Sequence, residues 1–113
     1  MTERLAYKVM AADEFAHMQR EQVFHGSAVD RADGFIHLST AAQLTATVDK
    51  HFQGQSDLVV VAVDLSPLGD AVRWETSRGG DLFPHVYGAL PMSAVTAAGP
   101  LVRGADGAVL LPG

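Results

Sequence analysis

The chain contains no cysteine. Disulfides, thiol nucleophiles and thiolate metal sites are therefore excluded together. Basic residues are also scarce. Eight Lys and Arg stand against thirteen Asp and Glu, for a net charge of −5. That balance argues against a surface that tracks a nucleic-acid backbone, so no DNA partner is expected. One local phosphate site is still compatible with it, because a few arginines suffice. Long hydrophobic runs are missing as well. The longest, LVVVAV from Leu58 to Val63, is far short of the roughly 20 apolar residues of a membrane-spanning helix. Glu3 and Arg4 interrupt the N-terminal MTERLAYKVM, which is not the pattern of a secretory signal. The expectation is a soluble, cytoplasmic protein with no membrane partner. Of the 113 residues, 48% are hydrophobic, enough for one core, so residues 1–113 are read as one domain.

Period-2 and period-3.6 patterns divide the chain. RLAYKVM predicts a first strand, with Leu5, Tyr7 and Val9 on one face and Ala6 and Lys8 on the other. AADEFAHMQR predicts a helix whose apolar side holds Ala11, Phe15 and Met18. Residues 21 to 34 carry turn signals and some extended structure. The next helix is expected over residues 41 to 52, with Ala41, Leu44, Thr45, Val48 and Phe52 on one side. Thr40 and Gln43 form a capping-box pattern at its start. DLVVVAVDL reads as a strand buried on both faces. AVRWE and FPHVYG read as strands, Pro84 suggesting an edge or a strand start. MSAVTAAGPLV and AVLLP predict the last two strands, with GADG as the turn between them.

Three of these strands carry polar residues two apart. FIHLS places His37 with Ser39, opposite Ile36 and Leu38. RWE places Arg73 with Glu75, opposite Trp74, and HVY places His85 with Tyr87, opposite Val86. If the three polar faces converge, they line a cleft on a sheet. Bland roles exist for each: Thr40 and Ser39 as helix caps, His37 as a hydrogen-bonded core histidine, Arg73 and Glu75 as a surface pair, and Tyr87 as a rim residue. His17 and His51 lie on polar helix faces and read as surface residues. SRGG offers a Gly-rich turn with Arg78, able to meet an anion. No phosphate loop, dinucleotide fingerprint or nucleophile elbow is present. His37, His85 and Glu75 would suit a two-histidine, one-carboxylate metal site only if their strands met closely.

DGFIHLSTAAQLTATVDKHF, DLVVVAVDL and RWETSRGGDLFPHVYG, in that order, resemble the DUF952 family of small bacterial proteins over nearly the whole chain. That family in turn resembles the ADP-ribosyltransferase fold, and within it the branch of RNA 2′-phosphotransferases with a similar His-Leu-Ser element. The resemblance implies an α+β domain with a split, mixed or antiparallel sheet, two main helices and a central cleft for NAD. Lys8 stands at a first-strand position where many relatives carry histidine. That departure bears on how nicotinamide would be held.

Two expectations follow about function. In the first, the protein binds or processes NAD or an ADP-ribose-like nucleotide. His37 and Glu75 are then the catalytic candidates, Glu75 supporting positive charge on the ribose. Lys8, Ser39, Thr40, Arg73, Arg78, His85 and Tyr87 are the substrate-binding candidates, with Lys8 or Arg78 on phosphate. Any enzyme would be ADP-ribosyltransferase-like or phosphotransferase-like, with NAD a candidate substrate, no cofactor assigned and no residue assigned to a metal. In the second, the same cleft holds a small ligand without catalysis. A metal-dependent protein using His37, His85 and Glu75 is a further, weaker alternative.

Overall fold

In a computed structural model the described residues are 4–113, with Arg78 described by its backbone alone. The role expected of the Arg78 side chain lies outside the described residues. Two three-stranded antiparallel sheets form the frame. The first has the order β1 (Leu5–Ala11), β4 (Leu58–Asp64), β8 (Val95–Pro100). The valine-rich β4 is central because both its faces are apolar. Val61 and Val63 join Ala6, Met10 and Met18 in one core cluster, while Val60 and Ala62 join Tyr7, Val9, Leu44 and Val48 in another. The second sheet has the order β3 (Ile36–His37), β6 (Leu82–Val86), β5 (Val72–Thr76). A short pair, β2 (Val23–Phe24) and β7 (Leu90–Pro91), stands apart from both.

The two large sheets are sewn together by one bridge. Tyr7 N–H donates to the Ser39 carbonyl at 2.7 Å, and Ser39 N–H donates to the Tyr7 carbonyl at 2.9 Å. Every strand pairing described is antiparallel, which narrows the expected sheet to that form.

Among the described residues three α-helices pack on this frame: α1 (Ala12–Glu21), α2 (Ala28–Asp33) and α3 (Leu44–His51). None of the described helices is long and apolar enough to cross a membrane. α1 follows the expected pattern, with Met18 fully buried and Phe15 against the same cluster. α2 departs from the expectation of turns and extended chain. Its six residues are too few to show a helical period, but its ends are marked. Ser27 Oγ accepts from Asp30 N–H, Asp30 accepts from Ser27 N–H, and Gly34 closes the helix in the left-handed region at φ 87°.

α3 is shorter than expected. Residues 41 to 43 form a turn before it, so Gln43 rather than Thr40 stands at the helix start and no side chain caps it; the Thr40–Gln43 pair closes the preceding turn instead. Gln43 N–H donates to Thr40 Oγ1 at 3.2 Å and Thr40 N–H donates to Gln43 Oε1 at 3.0 Å. Thr40→Ala should therefore lower stability by about 1 kcal/mol in denaturant unfolding, the usual scale for one lost side-chain–backbone hydrogen bond.

Two strand expectations are corrected. Pro84 lies inside β6, the central strand of its sheet, rather than at an edge. Its carbonyl accepts from Leu38 N–H. The missing N–H therefore points the same way, toward Leu38, just beyond the end of the two-residue β3. The segment AVLLP forms no strand; it makes only a single bridge, Arg103 to Val109, across the Gly104–Ala108 turn.

Candidate functional site

The β5–β6–β3 sheet decides which side chains meet. Arg73 is opposite His85 and Glu75 is opposite Phe83, while His37 is opposite His85 across the other ladder. Trp74, Val72 and Val86 consequently turn to the core, where Trp74 packs against the buried cluster. The polar face carries Arg73, Glu75, His85, Tyr87 and His37. The His37 and His85 ring centroids are 5.4 Å apart, edge to face. Phe35 lies between them, stacked on His85 at 4.1 Å and within 5.2 Å of Tyr87.

Two carboxylates organise this cluster. The inner one is Asp30, whose side chain is 2% exposed. It accepts from Lys8 Nζ at 2.8 and 3.0 Å, from His37 N–H at 3.1 Å and from Ser27 N–H at 2.9 Å, and it meets His37 Nδ1 at 2.6 Å. Burial alone would raise its carboxyl pKa. The His37 hydrogen bond, then the Lys8 charge and hydrogen bond, then the Ser27 amide outweigh burial and hold it far below the usual carboxylate range. Asp30 is thus an anion, and the His37 nitrogen facing it carries the proton. His37 Nε2 lies 2.9 Å from Asp33 Oδ2.

The outer carboxylate is Glu75. Its Oε1 meets His85 Nδ1 at 2.8 Å and accepts from Tyr87 Oη at 2.8 Å. These two hydrogen bonds, from His85 first, hold the Glu75 carboxyl below its usual value, and the same bond raises that of Tyr87. Arg73 lies over the Tyr87 ring, its guanidinium carbon 4.6 Å from the ring centre.

Other sequence candidates have different places. Lys8 is buried and spent on Asp30, so it sets the charge of the site from behind rather than meeting a phosphate. Ser39 turns its hydroxyl to Thr47 Oγ1 on α3, at 2.9 Å. Thr40 is committed to the cap of the following turn. His37, His85 and Glu75 do not form a metal-binding trio: among the described residues no cluster of three such ligands is arranged to hold an ion. Glu75 is instead turned to His85 Nδ1, and Asp30 and Asp33 flank the two ring nitrogens of His37. Three residues of the cluster escaped the sequence reading: Asp30, Asp33 and Phe35. The pattern Ser27-x-x-Asp30 was the available signal, since it marks a helix start and fixes Asp30 on its first turn.

The chain matches, over residues 9–98, a family described as "Protein of unknown function (DUF952)". It is also similar to protein CC0527 from Caulobacter crescentus. The crystal structure of that protein is 47% identical with a TM-score of 0.86, covering 95% of this chain and 94% of that one. Its solution NMR structure gives 47% identity and a TM-score of 0.78, covering 93% and 90%. No curated protein matches.

Proposed function

The chain belongs to the DUF952 family, and from the geometry of its polar face we propose that it binds NAD, ADP-ribose or a related nucleotide there. The observation that carries this reading is a carboxylate-anchored histidine beside an aromatic wall. His37 is fixed by Asp30, the Phe35 and His85 rings adjoin it, and the Tyr87 ring adjoins Phe35. Flat rings of this kind favour stacking on a base or a nicotinamide. Two antiparallel sheets joined at a single bridge are in keeping with an ADP-ribosyltransferase-like fold, although fold resemblance alone does not fix an activity.

The residues then have distinct roles. Asp30 fixes the orientation of His37 through Nδ1 and leaves Nε2 as the ring atom that faces outward. Glu75 is anionic, and an anion beside a ribose stabilises the positive charge that develops when a glycosidic bond breaks. A second reading, binding without turnover, is favoured by one contact: Asp33 already occupies His37 Nε2.

Titration calorimetry with NAD and ADP-ribose tests the proposal. Saturable heat is expected, and His37→Ala should weaken binding by about 1–3 kcal/mol, the scale of a lost buried hydrogen bond. Glu75→Gln should retain binding. If turnover of NAD accompanies binding, Glu75→Gln should abolish it with little change in affinity. Folded protein giving no heat with either nucleotide would overturn the reading.

A further inference from the structure

His37 has two carboxylate partners of opposite character. Asp30 is enclosed, with five contacts from Lys8, Ser27 and His37. Asp33 has a side chain 50% exposed, and among the described residues its polar partner is His37 Nε2, at 2.9 Å. Asp33 is also the last residue of α2, where the negative end of the helix dipole disfavours a carboxylate. The helix therefore gives no reason for an acid at this position; His37 does. With His37 protonated on both nitrogens this contact is an exposed ion pair, which adds little net stability, so Asp33 can leave without disturbing Asp30.

We infer that Asp33 is an internal stand-in for an anionic group of the ligand: a carboxylate or phosphate oxygen takes its place on His37 Nε2 while the Asp33 side chain turns out to solvent. The inference rests on the reading of this face as a ligand cleft and names the chemistry of the group received there. It also explains the surrounding charge. Arg73 is exposed on the same face of the sheet, above Tyr87, and supplies a second cation to an oxyanion seated on His37. Asp33 competes with every such ligand. Weak anions are rejected, and only a ligand with additional contacts, such as ring stacking on the Phe35–Tyr87 wall, displaces it.

The test compares the unaltered protein with Asp33→Asn and with Asp13→Asn. The latter removes the same charge from the first turn of α1. Each is titrated with inorganic pyrophosphate, with malonate and with NAD, while the ring nitrogens of His37 are followed by NMR. Asp33→Asn should bind one of the two small oxyanions about tenfold more tightly than Asp13→Asn does, the scale of one freed charge-assisted contact. The His37 Nε2 signal should move during that titration. Which small anion gains shows whether phosphate or carboxylate is received. Equal affinity in the two variants, or a stationary Nε2 signal, would overturn the inference. NAD separates it from the broader reading. If NAD binds the unaltered protein and Asp33→Asn equally, the stand-in role fails while nucleotide binding holds. If NAD binds none of the proteins while an oxyanion tightens on Asp33→Asn, the nucleotide reading fails and the stand-in role holds.

Discussion

Replacing Asp30 with alanine should lower the unfolding free energy by about 3–5 kcal/mol, the usual cost of breaking a buried ion pair from one side. The substitution removes the acceptor of a buried ammonium. Lys8, buried on the strand face it shares with Ala6 and Met10, is then left with no anion. The backbone N–H groups of Ser27 and His37 lose their acceptor as well. Lys8→Met alone should be costly for the mirror-image reason. The double variant Lys8→Met, Asp30→Leu removes both charges and should recover much of the loss in stability, but not ligand binding, since His37 is no longer anchored. Denaturant unfolding of the unaltered protein, Lys8→Met, Asp30→Leu and the double variant measures the coupling.

The pH dependence has a definite sign. The folded carboxyl of Asp30 lies below its ordinary value of 3.8. Its contribution is therefore present above the ordinary carboxylate range and is lost as the pH falls through the folded value. The stability gap between the unaltered protein and Asp30→Asn should be widest near neutrality and narrow in strong acid.

Gly26→Ala should be the second damaging change. Gly26 has φ +107°, a conformation that side chains strongly resist, and an added Cβ would stand 2.9 Å from Asp30 Cβ. The backbone strain alone is worth about 1–3 kcal/mol. The clash adds to it and pushes Asp30 away from Lys8 and His37. Gly34→Ala is the matched comparison, because its φ is +87° and an added Cβ there meets nothing within 4 Å. Both variants should lose stability. Gly26→Ala should lose more, and it alone should weaken ligand binding through Asp30. Equal losses would show that the approach of Gly26 to Asp30 is unimportant.

The sequence made the large elements readable wherever a period ran long enough. β4 declares itself by its apolar run, and α1 by Phe15 and Met18. The alternation in FIHLS, RWE and HVY assigned the faces of β3, β5 and β6 correctly, because a strand has only two faces to choose between. What alternation does not carry is the destination of each side chain. His37 and Ser39 share a face by period, yet one meets Asp30 and the other Thr47. That division depends on which helix overlies each residue, a long-range property. Lys8 was visible as a polar residue in an apolar strand. Its partner was not, because Asp30 lies 22 residues away on a six-residue helix. Pro84 misled for a related reason. A proline ends one ladder without excluding the strand: β3 pairs with β6 only as far as His37 and His85, and at the next position Pro84 accepts from Leu38 N–H but cannot donate in return.

The central claim is that the face holding His37, Glu75, His85 and Tyr87 receives a nucleotide. An NMR titration of isotope-labelled protein with ADP-ribose tests it most directly, because it reports the position of binding as well as its occurrence. The account predicts saturable shifts at Phe35, His37, His85 and Tyr87, with no comparable change at His17 and His25, which line a separate pocket with Asp13, Glu14 and Arg31. An absence of saturable shifts, or shifts centred on His17 and His25, would contradict it.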